Sequence, residues 1–325
     1  MNDEPVEDPH RRRVSPELLP FLDAFPVLVL DQPSDLRAAR AFADDIVAMR
    51  QGVPLPDGVE RLEVTVPGLP GAPPVRTLVY RRTGVIGQPI LLYVHGGGMI
   101  IGGADLDDGR NALLCASTGW TILAPDYRNA PEARWPSAVE DCYAVLEWLD
   151  TPDAASMGIG CEHVVVSGES GGGGIAAGLA LYARKRSNPR IAALGLSAPM
   201  LDDRTGEPGT TSELYGPYMW TAAMNQIAWS MVLGEGADTT HLPVPARENN
   251  LAGLPPTFIY VGQLDLFFHE ALDWTRRLSD AAVPVELHVF PGAFHGFDQS
   301  PLGVAPADAR SLMDKFFRRH LELAA

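Results

Sequence analysis

Apolar and polar positions change their period several times along the chain. Within residues 1–50, Leu18, Leu19, Phe21, Leu22 and Phe25 cluster, and 38–49 carries apolar residues at helical spacing. A Pro/Gly-rich stretch, GVPLPDG, then marks a boundary. Past it, LEVTV (62–66) and VRTLVYRR (75–82) alternate as an antiparallel strand pair does. Six short continuous apolar runs follow: PILLYVH (89–95), TILAPD (121–126), HVVVSG (163–168), IAALGLS (191–197), TFIYVG (257–262) and VELHVF (285–290). Helical patterns separate most of them, at 136–149, 171–186, 269–282 and 306–323. Strands apolar on both faces, alternating with helices, predict a mainly parallel eight-stranded sheet with helices on both sides. One interval breaks the alternation. From Asp202 to about Asn250 a long insertion carries Tyr215, Tyr218, Met219, Trp220, Met224 and Trp229.

Composition narrows what such a sheet can serve. The chain has 325 residues, 46% hydrophobic and 20% charged, as soluble globular proteins do. With 25 Lys+Arg against 41 Asp+Glu, the formal net charge is −16, a sign that repels nucleic acid and anionic membrane surfaces. Three cysteines, Cys115, Cys142 and Cys161, form neither a C-x-x-C pattern nor a zinc spacing, and read as buried structural thiols in a reducing compartment. The N-terminus shows no apolar signal core and no stretch approaches a membrane span, so a cytoplasmic location is expected.

Chemistry concentrates at the ends of the apolar runs. Gly168-Glu169-Ser170-Gly171-Gly172 stands between the strand HVVVS and a helix opening. This is the G-x-S-x-G pattern of a nucleophile elbow, where a sharp turn lifts the serine hydroxyl and only residues without Cβ fit at Gly168 and Gly172. The glycine run Gly171–Gly174 costs a helix roughly 1 kcal/mol per residue, so something must approach that helix start closely. His95-Gly96-Gly97-Gly98 follows another strand and offers uncovered backbone N–H groups, as an oxyanion hole requires. A serine needs a base and the base an orienting acid. Of the histidines after Ser170, His241 lies in the insertion, His269 opens a helix, His288 lies within a strand and His320 in the last helix; His295 sits in a loop just beyond the last strand. Asp265 lies just past the end of TFIYVG, where sites in open α/β sheets gather, with Glu270 the nearest competitor.

Together, His95-Gly96-Gly97-Gly98 with Gly102, the segment Asp126–Glu132, Gly168–Gly172, Asp265 and His295-Gly296-Phe297 resemble the hormone-sensitive-lipase-like (bacterial family IV) esterases. The resemblance runs from about residue 60 to the C-terminus. It implies an α/β-hydrolase fold, with residues 1–55 as a helical cap segment and 56–325 as the catalytic domain carrying a cap insertion at about 203–250. It further implies Ser170, Asp265 and His295 as catalytic residues and the N–H groups of Gly97, Gly98 and Gly171 as oxyanion donors. His95, Gly96 and Glu169 support them, and Asp126–Glu132 forms a turn with a salt-bridge network under the site. Two departures stand out. Glu169 and Gly171 replace the family's usual Asp and Ala, a form similar to the brefeldin A esterase branch. The acid loop, Asp265-Leu266-Phe267-Phe268-His269-Glu270, lacks the usual Pro and second Asp.

The expectation is a serine carboxylesterase for soluble short- to medium-chain esters, needing no metal or organic cofactor. Lactone or amide hydrolysis on the same triad stays open, and a non-catalytic small-molecule binder is disfavoured because Ser170 and His295 are both present. The N-terminal helices and the aromatic insertion are expected to fold over Ser170 around an apolar pocket. Strand 285–290 is an expected sheet edge and the expected seam of a homodimer.

Overall fold

Eight strands make one sheet: β1 (Val59–Val66), β2 (Val75–Arg82), β3 (Ile90–Val94), β4 (Thr121–Pro125), β5 (Val164–Glu169), β6 (Ile191–Ser197), β7 (Thr257–Gly262) and β8 (Val285–Phe290). The computed structural model describes residues 8–25, 28–50, 52–160, 164–188, 190–209, 212–236 and 239–322. The strands run in the order β1-β2-β4-β3-β5-β6-β7-β8. β2 is antiparallel to both β1 and β4, and every other pair is parallel. Burial explains why the two kinds of strand looked different in sequence. β1, at the edge, alternates buried or half-buried with exposed residues, whereas every residue of β3, β4, β5 and β7 is buried.

The helices are α1 (Leu19–Ala24), α2 (Leu36–Arg50), α3 (Asp108–Thr118), α4 (Ser137–Trp148), α5 (Pro152–Ser156), α6 (Gly171–Lys185), α7 (Ala222–Leu233), α8 (Phe268–Asp280) and α9 (Val304–Glu322). The sheet divides the core in two. Leu92, Val94 and Val166 face α4, α6 and α8, through Val139, Val145, Ile175, Leu179 and Trp274. Leu91, Tyr93 and Val165 face α3 and α9, through Ala112, Cys115, Met313 and Phe317.

Three helices were not legible as such. In α3 only Asn111, Ala112 and Cys115 are buried while Leu113 is 64% exposed, so no apolar stripe marks it. α7 lies in the insertion and is apolar nearly all round, which removes the period. α5 has five residues, too few to show one. Cys115 and Cys142 are free and buried; Cys161 lies outside the described residues. Among the described residues no helix is long and apolar enough to cross a membrane.

Candidate active site

Ser170 stands between β5 and α6 with φ 55° and ψ −120°, a left-handed backbone that costs a non-glycine residue on the order of 1–3 kcal/mol. The surroundings hold it there. Ser170 N–H donates to Ser197 O at 2.9 Å, and Met200 N–H donates to Ser170 O at 2.9 Å. The flanking glycines permit the turn. A Cβ at Gly168 would lie 2.2 Å from Gly172 O, and one at Gly172 would lie 2.2 Å from Val94 O and 2.3 Å from His95 O. At Gly174 it would meet Met200 O at 2.2 Å. The glycine run thus lets α6 sit directly against the loops after β3 and β6.

Asp265 and His295, from the loops after β7 and β8, converge on this serine. His295 Nε2 is 3.0 Å from Ser170 Oγ, and His295 Nδ1 is 2.9 Å from Asp265 Oδ2. Asp265 is fully buried, and its Oδ1 accepts from Phe267 N–H at 2.9 Å. A carboxylate beside Nδ1 assigns the ring proton there and leaves the Nε2 lone pair for the serine hydroxyl. Burial depresses the His295 pKa, but the charge and hydrogen bond of Asp265 outweigh it, and the net value lies above the ordinary 6.5. Glu270 is elsewhere. Its Oε2 accepts the N–H groups of Leu201 and Asp202, both at 2.6 Å, so it caps the loop after β6. The other four histidines that follow Ser170 have different neighbours. His241 is beside Glu140, His269 is edge-on to Tyr215, His288 stacks on Phe258 and His320 lies against Phe316.

The loop His95–Gly102 approaches the serine from β3. Gly97 and Gly98 have φ 106° and 60°, and Ile100 and Ile101 N–H both donate to Gly97 O. A Cβ at Gly171 would lie 2.9 Å from Gly98 N, so the amides of the two segments meet. Among the described residues the N–H groups of Gly97, Gly98 and Gly171 have no hydrogen-bond acceptor. Gly98 and Gly171 are buried and Gly97 is half-buried, and buried N–H groups without partners are rare. His95 braces the loop from beneath: its Nδ1 donates to Gly96 O at 2.8 Å, Tyr127 stacks on its ring at 4.1 Å, and the Tyr127 hydroxyl donates to His95 O at 3.0 Å. Burial pushes its pKa down to about 4, so the ring is neutral.

The turn Asp126–Glu132 is charged and tied down, as the resemblance implied. Asp126 accepts from Ala104 N–H and faces Arg76 at 3.4 Å, Arg128 pairs with Asp141 at 2.8 Å, and Glu132 with Arg40 of α2 at 2.8 Å. Arg40 also donates to Ile100 O and Ala130 O, linking α2 to the glycine loop.

Of the remaining neighbours, Trp220 in the insertion and Glu169 beside the serine were marked in the sequence, whereas Arg110 and Gln299 were not. Trp220 lies on the glycine loop, so that a Cβ at Gly98 would sit 2.3 Å from its ring, and its Nε1 donates to Asn225 Oδ1 at 3.2 Å. Glu169, beside the nucleophile, is buried and meets Arg110 of α3 at 2.5 Å and Gln299 Nε2 at 2.7 Å. Arg110 escaped notice because α3 itself did. Gln299 is a single polar residue in an irregular segment, where no period points inward.

A family model described as the alpha/beta hydrolase fold matches residues 91–299, and the chain belongs to that family. Among curated relatives it is 29% identical over 306 residues to esterase LipI of Mycobacterium tuberculosis, covering 90% of each chain. It is 30% identical to the carboxylic ester hydrolase LipN of the same organism, with 86% of this chain and 78% of the relative covered. Among solved structures it is similar to one titled bacterial heroin esterase, with TM-score 0.83, 34% identity, and 92% and 96% of the two chains covered.

Proposed function

We propose that the protein is a serine carboxylesterase acting on short- to medium-chain esters through an acyl-enzyme. One observation carries the reading: Ser170, His295 and Asp265 form a continuous hydrogen-bonded chain of 3.0 and 2.9 Å beside three backbone N–H groups without acceptors. Ser170 Oγ attacks the ester carbonyl as His295 Nε2 takes its proton. The carbonyl oxygen becomes an oxyanion held by the N–H groups of Gly97, Gly98 and Gly171, donors worth about 3–4 kcal/mol each where one has been removed from such a site. The C–O bond to the alcohol breaks, His295 returns the proton to the departing alkoxide, and water, activated by the same base, releases the acid. Asp265 holds the imidazole orientation and stabilises its cation. The esterase names of the relatives accord with this reading.

Two parts of the chain close over the site in this reading. Residues 215–220 bring Met219 and Trp220 against Gly296 and Gly98, while Met224 and Trp229 of α7 belong to the core. The N-terminal segment packs Phe21 on Phe294, next to His295, and Ser15 N–H donates to Gly292 O. They act as a cap that shapes the acyl pocket. The free thiols Cys115 and Cys142 suit a reducing compartment, the cytoplasm.

The deciding experiment is hydrolysis of 4-nitrophenyl esters from acetyl to palmitoyl by the wild type and Ser170→Ala. Turnover greatest at the short and middle lengths, lost by several powers of ten in the folded variant, is the expected result. Equal rates for the two proteins would dismiss the reading.

A further inference from the structure

Glu169 is buried one residue before the nucleophile, yet its carboxylate serves the other side of the triad. Oε1 accepts from Gln299 Nε2 at 2.7 Å. Oε2 accepts from Arg110 Nη1 at 2.5 Å and from the Tyr93 hydroxyl at 3.4 Å. Gln299 ends the short turn Phe297–Gln299 that begins two residues after His295. Among the described residues, two hydrogen bonds join the elbow 168–174 to the turn 292–300: the reacting Ser170–His295 contact and the Glu169–Gln299 bond. The first is remade at every turnover as its proton moves. The second carries no reacting atom.

We infer that Glu169 and Gln299 are a positioning pair for the proposed ester hydrolysis: their bond fixes the base against the nucleophile, and the Glu169 charge helps the imidazolium form. The inference rests on the serine-esterase reading. Geometry supplies the first half. Proton transfer between Ser170 and His295 depends on their separation to within about 0.5 Å, and the two residues lie 125 positions apart on separate loops. A tie between their immediate neighbours limits that separation directly.

Charge supplies the second half. The charges acting on His295 are Asp265 from the loop after β7, Glu169 from β5 and Asp298 from its own turn, with Arg110 of α3 against the last two. Arg110 is shared, 2.5 Å from Glu169 and 3.7 Å from Asp298, so one cation faces two carboxylates. Asp298 also accepts from the Tyr260 hydroxyl at 2.8 Å. Against the burial cost, Arg110 and Gln299 keep Glu169 ionised, and its field reaches the imidazole through a medium that screens poorly.

Two variants separate the halves, measured as kcat and KM on 4-nitrophenyl acetate across pH. Gln299→Ala cuts the tie, while Arg110, the stronger of the two supports, still holds the Glu169 charge. It should lower kcat ten- to hundredfold with KM within twofold, and leave the acidic limb of kcat/KM in place. Glu169→Gln keeps an oxygen for Gln299 and removes the charge. It should move that limb to lower pH by at least half a pH unit, because the imidazolium loses support. If Glu169→Gln loses its fold by circular dichroism, Asp298→Asn removes a carboxylate that burial and then Glu169 push up to about 6, and the limb should move the same way by a smaller amount. A kcat for Gln299→Ala within twofold of wild type overturns the tie, and an unmoved limb in the charge variant overturns the electrostatic half. Failure of the underlying reading looks different: wild type and Ser170→Ala would then hydrolyse the ester equally slowly.

Discussion

In the proposed reading the base, His295, must be free of its proton at working pH. Asp265 raises its pKa above 6.5, and the base works only when deprotonated. Activity should therefore fall as pH drops through that raised value, and the acidic limb of kcat/KM should have its midpoint above 6.5. Asp265→Asn withdraws the charge and turns an N–H toward Nδ1. It should lower kcat by about four powers of ten while the fold persists, and the limb of its residual activity should lie below that of wild type. The glycines give a second test. Gly172→Ala drives a Cβ into the backbone at Val94 and His95 and should cost about 3 kcal/mol in urea unfolding. Gly109, in α3, has open space where its Cβ would go, and Gly109→Ala should stabilise by about 0.5 kcal/mol. Similar losses at both positions would mean that close approach is not the reason for Gly172.

At the scale of elements, the loop His95–Gly102 holds its amides open because its own support is buried and neutral. His95 is 2% exposed with a pKa of about 4, against 6.5 for an ordinary imidazole. Below pH 6.5 the unfolded chain takes up a proton that the folded one resists, so stability falls as pH drops from 6.5 to 4. Full expression of that difference is about 3 kcal/mol. Comparing urea unfolding of the wild type and His95→Gln from pH 7 to pH 4 isolates it, since only the wild type should show this component; parallel curves would refute it. The cap makes an independent prediction. Glu17 accepts from Val304 and Ala305 N–H at the start of α9, and Arg40 reaches the loop after β3, so the N-terminal segment is tied to the catalytic domain at two places. Deleting residues 1–45 should shift the preferred acyl length in a protein that still folds. An unchanged profile would assign those helices to stability alone.

For the molecule as a whole, charge and edges decide what it meets. A net charge of −16 gives no attraction to anionic interfaces. The rate on a long-chain ester should therefore rise smoothly to the ester's solubility limit and show no jump beyond it. A sharp rise there would point to an interfacial lipase. β8 is a sheet edge, half-exposed along its length, with Val289 37% exposed. Glu286 on that strand is engaged by Arg319, so its charge guards the edge poorly against pairing. We expect a homodimer through β8, read by light scattering at micromolar concentration. A mass of 35.0 kDa would show the chain to be a monomer.

Local pattern was enough for much of this. All eight strands were readable because burial on one or two faces writes a period into the residues, and Gly168–Gly172 was readable because a sharp turn under close packing admits no Cβ. The order Ser170, Asp265, His295 followed from their places just past strand ends. Distances lay beyond the sequence. Asp265 and Glu270 are five residues apart, and only the folded loops set one against His295 and the other against Leu201 and Asp202. α3 and α7 stayed hidden because one buries too few apolar positions and the other is apolar on nearly every side, so neither carries a helical stripe. Arg110 and Gln299 reach the site across long separations. Such contacts leave no local period, so tertiary structure alone decides which buried charges and rings surround a serine that the sequence already marks.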